Sequence, residues 1–169
     1  EEETTDLTLK KIHDRIESIY KAGETKFEKI NLKGFIEDVL RDALSQSDRK
    51  IFSIQQDVDE TVALYMDRNV LTKIAFGLIK NAIENTPDEG KIVIRSYATD
   101  KDIVIDFTDH GIGITRENQN EIFGGFFHTQ ETKMYSTKKP FDFNAGGAGI
   151  DLLRIKIFSE KFGYIVDFK

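Results

Sequence analysis

The chain has no cysteine, only two prolines and twelve glycines in 169 residues, and no excess of positive charge. The absence of cysteine excludes disulfide bonds, thiol catalysis and thiolate metal sites, and it is compatible with a reducing compartment. The small number of prolines and glycines predicts that most of the chain is ordered. A net charge of −6 without a basic stripe argues against a nucleic-acid surface.

Long apolar runs are also missing. No stretch approaches the length of a transmembrane helix, and the first residues do not have the pattern of a signal peptide. With 39% hydrophobic residues, the chain is long enough for one domain with a buried core, with or without an appendage. It opens on three glutamates and stops inside a predicted strand, so we expect a piece of a longer protein that could have a membrane segment elsewhere.

Two glycine-containing motifs stand out in the second half of the chain. Asp109-His-Gly-Ile-Gly113 follows an alternating apolar run that predicts a strand, and its Gly-x-Gly predicts a tight turn or a closely approached backbone. Gly146-Gly-Ala-Gly149 precedes a segment with helical spacing, and unpaired N–H groups at the start of a helix bind phosphate. A carboxylate beside an accessible backbone and a phosphate-binding turn together predict a nucleotide site.

Apolar periodicity and turn residues predict the order of helices and strands along the chain. The elements are a helix at 6–22, an extended piece at Lys26–Ile30, a helix after the N-cap Asn31, strands at Lys50–Gln55 and Thr61–Met66, a helix from the N-cap Asp67 to about Thr86, strands at Lys91–Tyr97 and Ile103–Phe107 joined by the turn Thr99–Asp102, a helix at Ile150–Phe162 ended by Gly163, and a strand at Tyr164–Phe168. Residues 115–145 lose periodicity, and a loop of this length predicts a lid or else a disordered segment. This order predicts an α+β two-layer sandwich with a mostly antiparallel sheet and helices on one face.

The first predicted helix has a narrow apolar seam. Its members Leu9, Ile12, Ile16 and Ile19 follow one another at steps of three, four and three residues, as in a coiled coil. A helix of this length is not stable alone, so the seam implies a partner helix.

Four motifs, in this order, resemble the N, G1, F and G2 boxes of histidine kinase catalytic domains. They are Asn81-Ala-Ile-Glu-Asn85, Asp109-His-Gly-Ile-Gly113, Ile122-Phe-Gly-Gly-Phe-Phe127 and Gly146-Gly-Ala-Gly-Ile150. These domains belong to the superfamily of ATPases with the Bergerat ATP-binding fold, which includes gyrase, mismatch-repair proteins and heat-shock chaperones. The resemblance covers about residues 26–169, and four boxes in the right order are far more specific than a single Gly-x-Gly.

The resemblance implies that the chain binds ATP and Mg²⁺. It implies that the Asp109 carboxylate accepts a hydrogen bond from the adenine amino group, which would reject guanine because guanine has a carbonyl there. It also implies that Asn81 coordinates the Mg²⁺ that bridges the phosphates, since Mg²⁺ takes few oxygen ligands from protein. The other candidate ATP-binding residues are Asn85, Gly111, Gly113, Phe123, Lys133, Gly147 and Gly149.

Each candidate also has a simpler structural explanation. Asp109 could cap the Gly-x-Gly bend, and Asn81 could lie on a helix face that reaches solvent. The glycines could serve turn geometry alone. Phe123 could pack the base of the lid, and Lys133 could be a solvated lysine, the default for that residue type.

Four positions depart from the family pattern. Many N boxes carry Asn where this chain has Gly77, and Lys and Tyr where it has Glu84 and Asn85. A typical G2 box ends in a glycine where this chain has Asp151, which is expected near the polyphosphate. Related hydrolases use a glutamate at the position of Gly77 to activate water, so the glycine favours phosphoryl transfer or binding over hydrolysis.

A histidine kinase needs an acceptor histidine. His110 lies in the G1 box and His128 follows the F box, so neither is placed to receive phosphate. His13, followed by Asp14, superficially resembles an acceptor, but the connection at Gly23–Asn31 leads directly into the catalytic fold and leaves no room for a second hairpin helix. We do not expect His13 to be the acceptor, which we place outside this chain.

The main hypothesis is therefore the ATP-binding catalytic domain of a two-component sensor histidine kinase, at residues 25–169, truncated at its C-terminus. Residues 1–24 would be the end of a dimerisation helix or a linker. The γ-phosphoryl group would pass to a histidine outside the chain. The implied partners are ATP, the dimerisation helices of its own protein in a homodimer, and a response regulator receiver domain. The resemblance implies a cytoplasmic domain and leaves open an inner-membrane anchor in the full-length protein.

Two alternatives remain at this point. The first is a degenerate nucleotide-binding or protein-interaction module of the same fold without kinase activity, motivated by Glu84, Asn85 and Asp151. The second is a serine kinase of the anti-sigma type, which would lack the seam at Leu9–Ile19.

Overall fold

The computed structural model describes residues 25–47, 52–111 and 150–168, together with positions 10, 14, 113, 114, 119 and 123. The elements in these ranges are β1 (Phe27–Asn31), α1 (Leu32–Ser45), β2 (Phe52–Val58), β3 (Ala63–Asp67), α2 (Arg68–Asn85), β4 (Gly90–Ala98), β5 (Ile103–Asp109) and α3 (Ile150–Phe162). The predicted seam, most of the predicted lid and the glycines of the G2 box lie outside the described residues.

The strands form two sheets. In the first, β1 and β3 are antiparallel, with Phe27 opposite Asp67. In the second, the order is β2-β4-β5, and β4 and β5 form the predicted antiparallel hairpin, closed by a bond from the Thr99 N–H to the Asp102 carbonyl at 2.8 Å. The strands β2 and β4 are parallel, because the chain between them passes through β3 and α2 and returns in the same direction. The predicted α+β class is confirmed, with one parallel pair beside the antiparallel ones.

Helix α2 lies at the centre of the core. It contacts α1, α3, β1, β3 and β5. Its buried apolar side chains face those of the other helices and of β4, as the helical spacing predicts. The fully buried large side chains of this core include Ile30, Leu32, Ile36, Val70, Ile79, Ile83, Ile92, Ile94, Ile155 and Phe158. None of the helices in the described ranges is long and apolar enough to cross a membrane.

The two predicted N-caps are confirmed. The Asn31 side chain accepts a hydrogen bond from the Gly34 N–H at 3.1 Å at the start of α1. At the start of α2, Asp67 Oδ1 accepts bonds from the N–H groups of Asn69 and Val70 at 2.9 and 3.2 Å. Asp67 Oδ2 also accepts a bond from the Lys26 N–H at 2.9 Å. One carboxylate therefore caps α2 and holds the chain at the entry to β1.

The segment after α3 differs from its prediction. Gly163 ends α3 with a φ of 72°, as predicted for a helix C-cap. However, 164–168 is not paired in a sheet. The alternation that predicted a strand is real, because Tyr164 and Val166 pack against the core while Ile165 is 91% exposed. The Tyr164 hydroxyl donates to the Ile155 carbonyl at 2.9 Å, and burial raises its pKa. Alternation thus identified the packed face, whereas pairing also requires a neighbouring strand edge.

Replacing the α2 cap tests how much this carboxylate contributes to stability. We expect Asp67→Ala to lower the free energy of unfolding by about 1–2 kcal/mol, because two helix N–H groups and the Lys26 N–H lose their acceptor. Urea unfolding followed by circular dichroism measures this loss. The control is Asp38→Ala, which removes an exposed carboxylate in the interior of α1 whose ion pair is with Arg41 of the same helix. Equal midpoints for the two variants would contradict the capping role.

Candidate functional site

The first part of the candidate site is the turn after β5. Asp109 is the last residue of β5 and lies opposite Ile92 of β4. Its exposed carboxylate accepts a hydrogen bond from the Gly111 N–H through Oδ1 at 2.9 Å. Asp109 Oδ2 has no hydrogen-bond partner in the part of the chain that the structure describes. The turn-capping role considered from the sequence is therefore present, and it uses only one of the two carboxylate oxygens.

Gly111 joins this turn to the end of α2. A Cβ atom at position 111 would lie 2.4 Å from the Asn85 carbonyl oxygen and 2.7 Å from Asp109 Oδ1. Both distances are far below a normal contact, so only glycine fits there without displacing the backbone. Gly113 differs, because a Cβ there would meet no atom within 4 Å, while its φ is 71°. Position 111 requires glycine because a Cβ atom would overlap its neighbours. Position 113 favours glycine because its φ is positive.

His110, between these residues, is bound to β4. Its backbone N–H donates to the Lys91 carbonyl at 3.1 Å, and its ring Nδ1 lies 3.0 Å from the same oxygen. A carbonyl oxygen only accepts hydrogen bonds, so the ring bonds to it in the tautomer that carries its proton on Nδ1. The imidazole is therefore held against the end of the sheet.

The two asparagines of the N-box motif have different environments on α2. Asn85 donates a hydrogen bond from Nδ2 to the Asn81 backbone carbonyl at 2.7 Å, so its side chain folds back on its own helix. The half-buried Asn81 side chain makes no hydrogen bond to another described residue. The Asn81 side chain is therefore available to a ligand, whereas the Asn85 amide nitrogen is engaged within its own helix.

The acid that follows the G2 box is neutralised by a lysine that the sequence reasoning did not single out. Asp151 was expected from the sequence to lie near the polyphosphate. In the structure its Oδ2 lies 2.8 Å from Lys80 Nζ, and its Oδ1 lies 3.2 Å from Arg154 Nη1. Lys80 is only 4% exposed although it precedes Asn81 in the N box. The sequence did contain a signal for this ion pair, namely a lysine among the buried apolar residues of α2. Lysine is rarely buried without a charged partner, so a partner could have been expected.

Two of the departures from the family pattern lie against each other. A Cβ atom at Gly77 would be 3.5 Å from the Asp151 Cβ and 3.7 Å from Ile155 Cδ1. A methyl group at position 77 would therefore make ordinary van der Waals contact with both side chains. The first turn of α3 packs against α2 at this glycine.

The remaining candidates are only partly placed. The half-buried Phe123 ring lies 6.0 Å from the Phe168 ring, centroid to centroid, which is an aromatic packing contact. This contact is compatible with packing at the base of the predicted lid. Lys133, Gly147 and Gly149 lie outside the described residues, as do His13 and His128.

Comparisons with known proteins agree with these motifs. Residues 66–166 match the family described as histidine kinase-, DNA gyrase B- and HSP90-like ATPase. Histidine kinase P4 of Formosa agariphila is 34% identical over 105 residues, which cover 60% of this chain and 7% of that protein. The adaptive-response sensory kinase SasA of Gloeothece citriformis is 28% identical over 130 residues, covering 76% of this chain and 31% of that protein. The chain therefore spans less than a third of the length of either relative.

Solved structures show the same fold. A mycobacterial sensor histidine kinase, MprB, is similar with a TM-score of 0.65 at 20% identity, covering 82% of this chain and 81% of that chain. The histidine kinase ThkA, solved in complex with the response regulator TrrA, is similar with a TM-score of 0.58 at 24% identity, covering 75% of this chain and 38% of that chain.

The two glycines of the turn make a matched pair for substitution. We expect Gly111→Ala to lower the free energy of unfolding by about 1–3 kcal/mol, because the added methyl group overlaps the Asn85 carbonyl. Gly113→Ala should cost roughly 1 kcal/mol, through its positive φ alone. Chemical denaturation of both variants measures the difference. Two-dimensional amide spectra should show shifts at the end of α2 only for Gly111→Ala; shifts there for Gly113→Ala alone would contradict the contact.

Proposed function

The chain belongs to the family of histidine kinase-, DNA gyrase B- and HSP90-like ATPases, and from this premise we propose that residues 25–169 form the catalytic domain of a sensor histidine kinase. The observation that carries the proposal is the contact of Gly111 with the Asn85 carbonyl. It brings the Asp109 carboxylate to the end of the helix that carries Asn81. A base-selecting acceptor and a metal-ligand candidate would then belong to the same end of α2.

Adenine recognition would use the two oxygens of Asp109 separately. Oδ1 accepts a hydrogen bond from the Gly111 N–H, and this bond fixes the orientation of the carboxylate. Oδ2 would accept a hydrogen from the adenine amino group. Guanine would present a carbonyl oxygen to this acceptor, and two acceptors facing each other leave both unpaired. The hydrogen bond between the Gly111 N–H and Asp109 Oδ1 would therefore stabilise the turn and also help to select adenine.

The Mg²⁺ ion implied by the family fits the residues present. Asn81 supplies a neutral hard oxygen on a half-buried helix face, and Mg²⁺ usually takes most of its other ligands from phosphate and water. When bound, the ion would neutralise charge on the phosphates. The Asn85 side chain is directed along its own helix by the bond from Nδ2 to the Asn81 carbonyl.

The phosphates would lie toward the start of α3. Gly147 and Gly149 precede this helix, whose N-terminus offers N–H groups and a positive dipole end, and Lys133 could reach the same place from the predicted lid. Transfer would break the bond between the γ-phosphorus and the β–γ bridging oxygen. It would form a phosphorus–nitrogen bond to a histidine outside this chain and release ADP. The domain would contribute positioning and charge stabilisation.

The remaining parts of the proposal concern the whole protein. Residues 1–24 would belong to a dimerisation helix or linker, and the partners would be the dimerisation helices in a homodimer and a receiver domain. The structure solved for ThkA with the response regulator TrrA supports the last of these by similarity of fold. The domain would act in the cytoplasm. One argument for the alternative of an inactive module was the acid at position 151. That argument is weakened, because Lys80 forms an ion pair with Asp151.

Base selection can be measured by replacing Asp109. We expect Asp109→Asn to weaken ATP binding at least about tenfold, because the amide can present a donor to the adenine amino group and the bond to a charged acceptor is lost. The ratio of ATP to GTP affinity should fall as well. Calorimetric titration of both nucleotides with Mg²⁺ gives these values. Asp102→Asn, in the exposed hairpin turn, is the matched control. Native-like ATP affinity in Asp109→Asn would refute the adenine site.

The metal role of Asn81 has a separate test. The affinity of the native chain for ATP should rise when Mg²⁺ is added. In Asn81→Ala this rise should be lost while the affinity in EDTA stays close to native, because only the ion loses a ligand. Asn69→Ala, at an exposed position in the first turn of α2, is the control. A full Mg²⁺ effect in Asn81→Ala would assign the ion to other residues.

A further inference from the structure

A buried lysine and an acid connect two helices at the candidate site. Lys80 Nζ of α2 lies 2.8 Å from Asp151 Oδ2 of α3, and the two side chains are 5% and 19% exposed. Asp151 Oδ1 is 3.2 Å from Arg154 Nη1, on the next turn of α3. Both oxygens of one carboxylate therefore face cations, one deeply buried and one more exposed.

Burial makes this pair different from the exposed ion pairs of the chain. A buried lysine needs a compensating charge, and removing one member of such a pair leaves the other charge without a partner. Lys33 and Glu60 form a comparable but exposed pair between α1 and the turn before β3. Exposed pairs contribute little because water screens them. The Lys80–Asp151 pair thus fixes the first turn of α3 against α2.

The pair is also adjacent in sequence to two parts of the proposed nucleotide site. Lys80 directly precedes Asn81, and Asp151 follows Gly149 by two residues. A carboxylate at this place would repel the phosphates of a nucleotide if it were unpaired, since the repulsion between like charges is weakly screened away from water. Lys80 removes that repulsion without taking part in any contact of the site described above.

We propose that Lys80 and Asp151 are positioning residues for the phosphate end of the nucleotide. Their ion pair sets the place of the α3 N-terminus relative to Asn81, and Lys80 cancels the Asp151 charge that the phosphates would otherwise meet. The inference rests on the proposed nucleotide site. If the positioning role is right, substitutions in the pair change nucleotide affinity in a way that depends on the phosphate charge. A purely structural ion pair would not have this effect.

The sharpest measurement compares adenosine, which has no phosphate, with Mg·ATP on the same variants. The quantity of interest is the ratio of ATP affinity to adenosine affinity. In Lys80→Met the Asp151 carboxylate has only Arg154 as a cationic partner, so it repels the phosphates more strongly. We therefore expect the ratio to fall about tenfold while adenosine affinity changes little. In Asp151→Asn the amide oxygen can still accept from Lys80 Nζ, and the ratio should stay at or above the native value. The double variant Lys80→Met/Asp151→Asn should recover most of the loss.

The experiment uses the full 169-residue chain. Calorimetry or amide chemical shifts give the two affinities, and thermal unfolding without nucleotide gives stability. Lys33→Met is the control, because it removes a lysine from an exposed ion pair and should leave the ratio unchanged. If Lys80→Met does not fold, the Asp151→Asn and double variants carry the test: a lowered ratio in Asp151→Asn would overturn the proposal.

Other outcomes separate this inference from the function it rests on. A drop in unfolding temperature for Lys80→Met with an unchanged affinity ratio would show a structural ion pair and overturn the positioning role alone. If the double variant recovered none of the loss, the cancellation of the Asp151 charge by Lys80 would be overturned. If the native chain bound neither adenosine nor ATP, the proposed function would fail, and the positioning role with it.

Discussion

The close approach of Gly111 to the Asn85 carbonyl is the constraint on which the candidate site depends. A Cβ atom at position 111 would lie 2.4 Å from that oxygen. The contact places the end of β5 against the end of α2, so that Asp109 and Asn81 belong to one region although they lie in different elements. The bond from the Gly111 N–H then orients Asp109 within the turn. Steric fit and hydrogen bonding thus determine the same local arrangement.

Helix α2 has a double role in this arrangement. Its buried face forms the centre of the core, and the same helix carries Lys80, Asn81 and Asn85 toward the site. Capping by Asp67 fixes its start, and the contacts with Gly111 and Asp151 fix its far half. A helix held at both ends presents its polar residues in defined positions, which is what binding of a charged ligand requires. Core packing and site geometry are therefore consequences of one element.

Part of this could be predicted from residues alone. The caps at Asn31 and Asp67 and the helix end at Gly163 were identified correctly, because a cap is bonded to backbone groups only two or three residues away. The segment Tyr164–Phe168 was predicted as a strand and is unpaired. Its alternating burial is a local property, but pairing depends on a strand edge elsewhere. For the same reason the parallel alignment of β2 and β4 could not be read from either strand.

The sequence by itself determined the helix boundaries, the α+β class and the ordered motifs that place the chain in its family, since these depend on neighbours along the chain. The tertiary structure alone decided which polar groups are engaged. Nothing in the sequence around Asp151 indicates its partner, yet Lys80, 71 residues away along the chain, lies 2.8 Å from it. Charges and hydrogen bonds act over a few ångströms of space, whatever the separation along the chain.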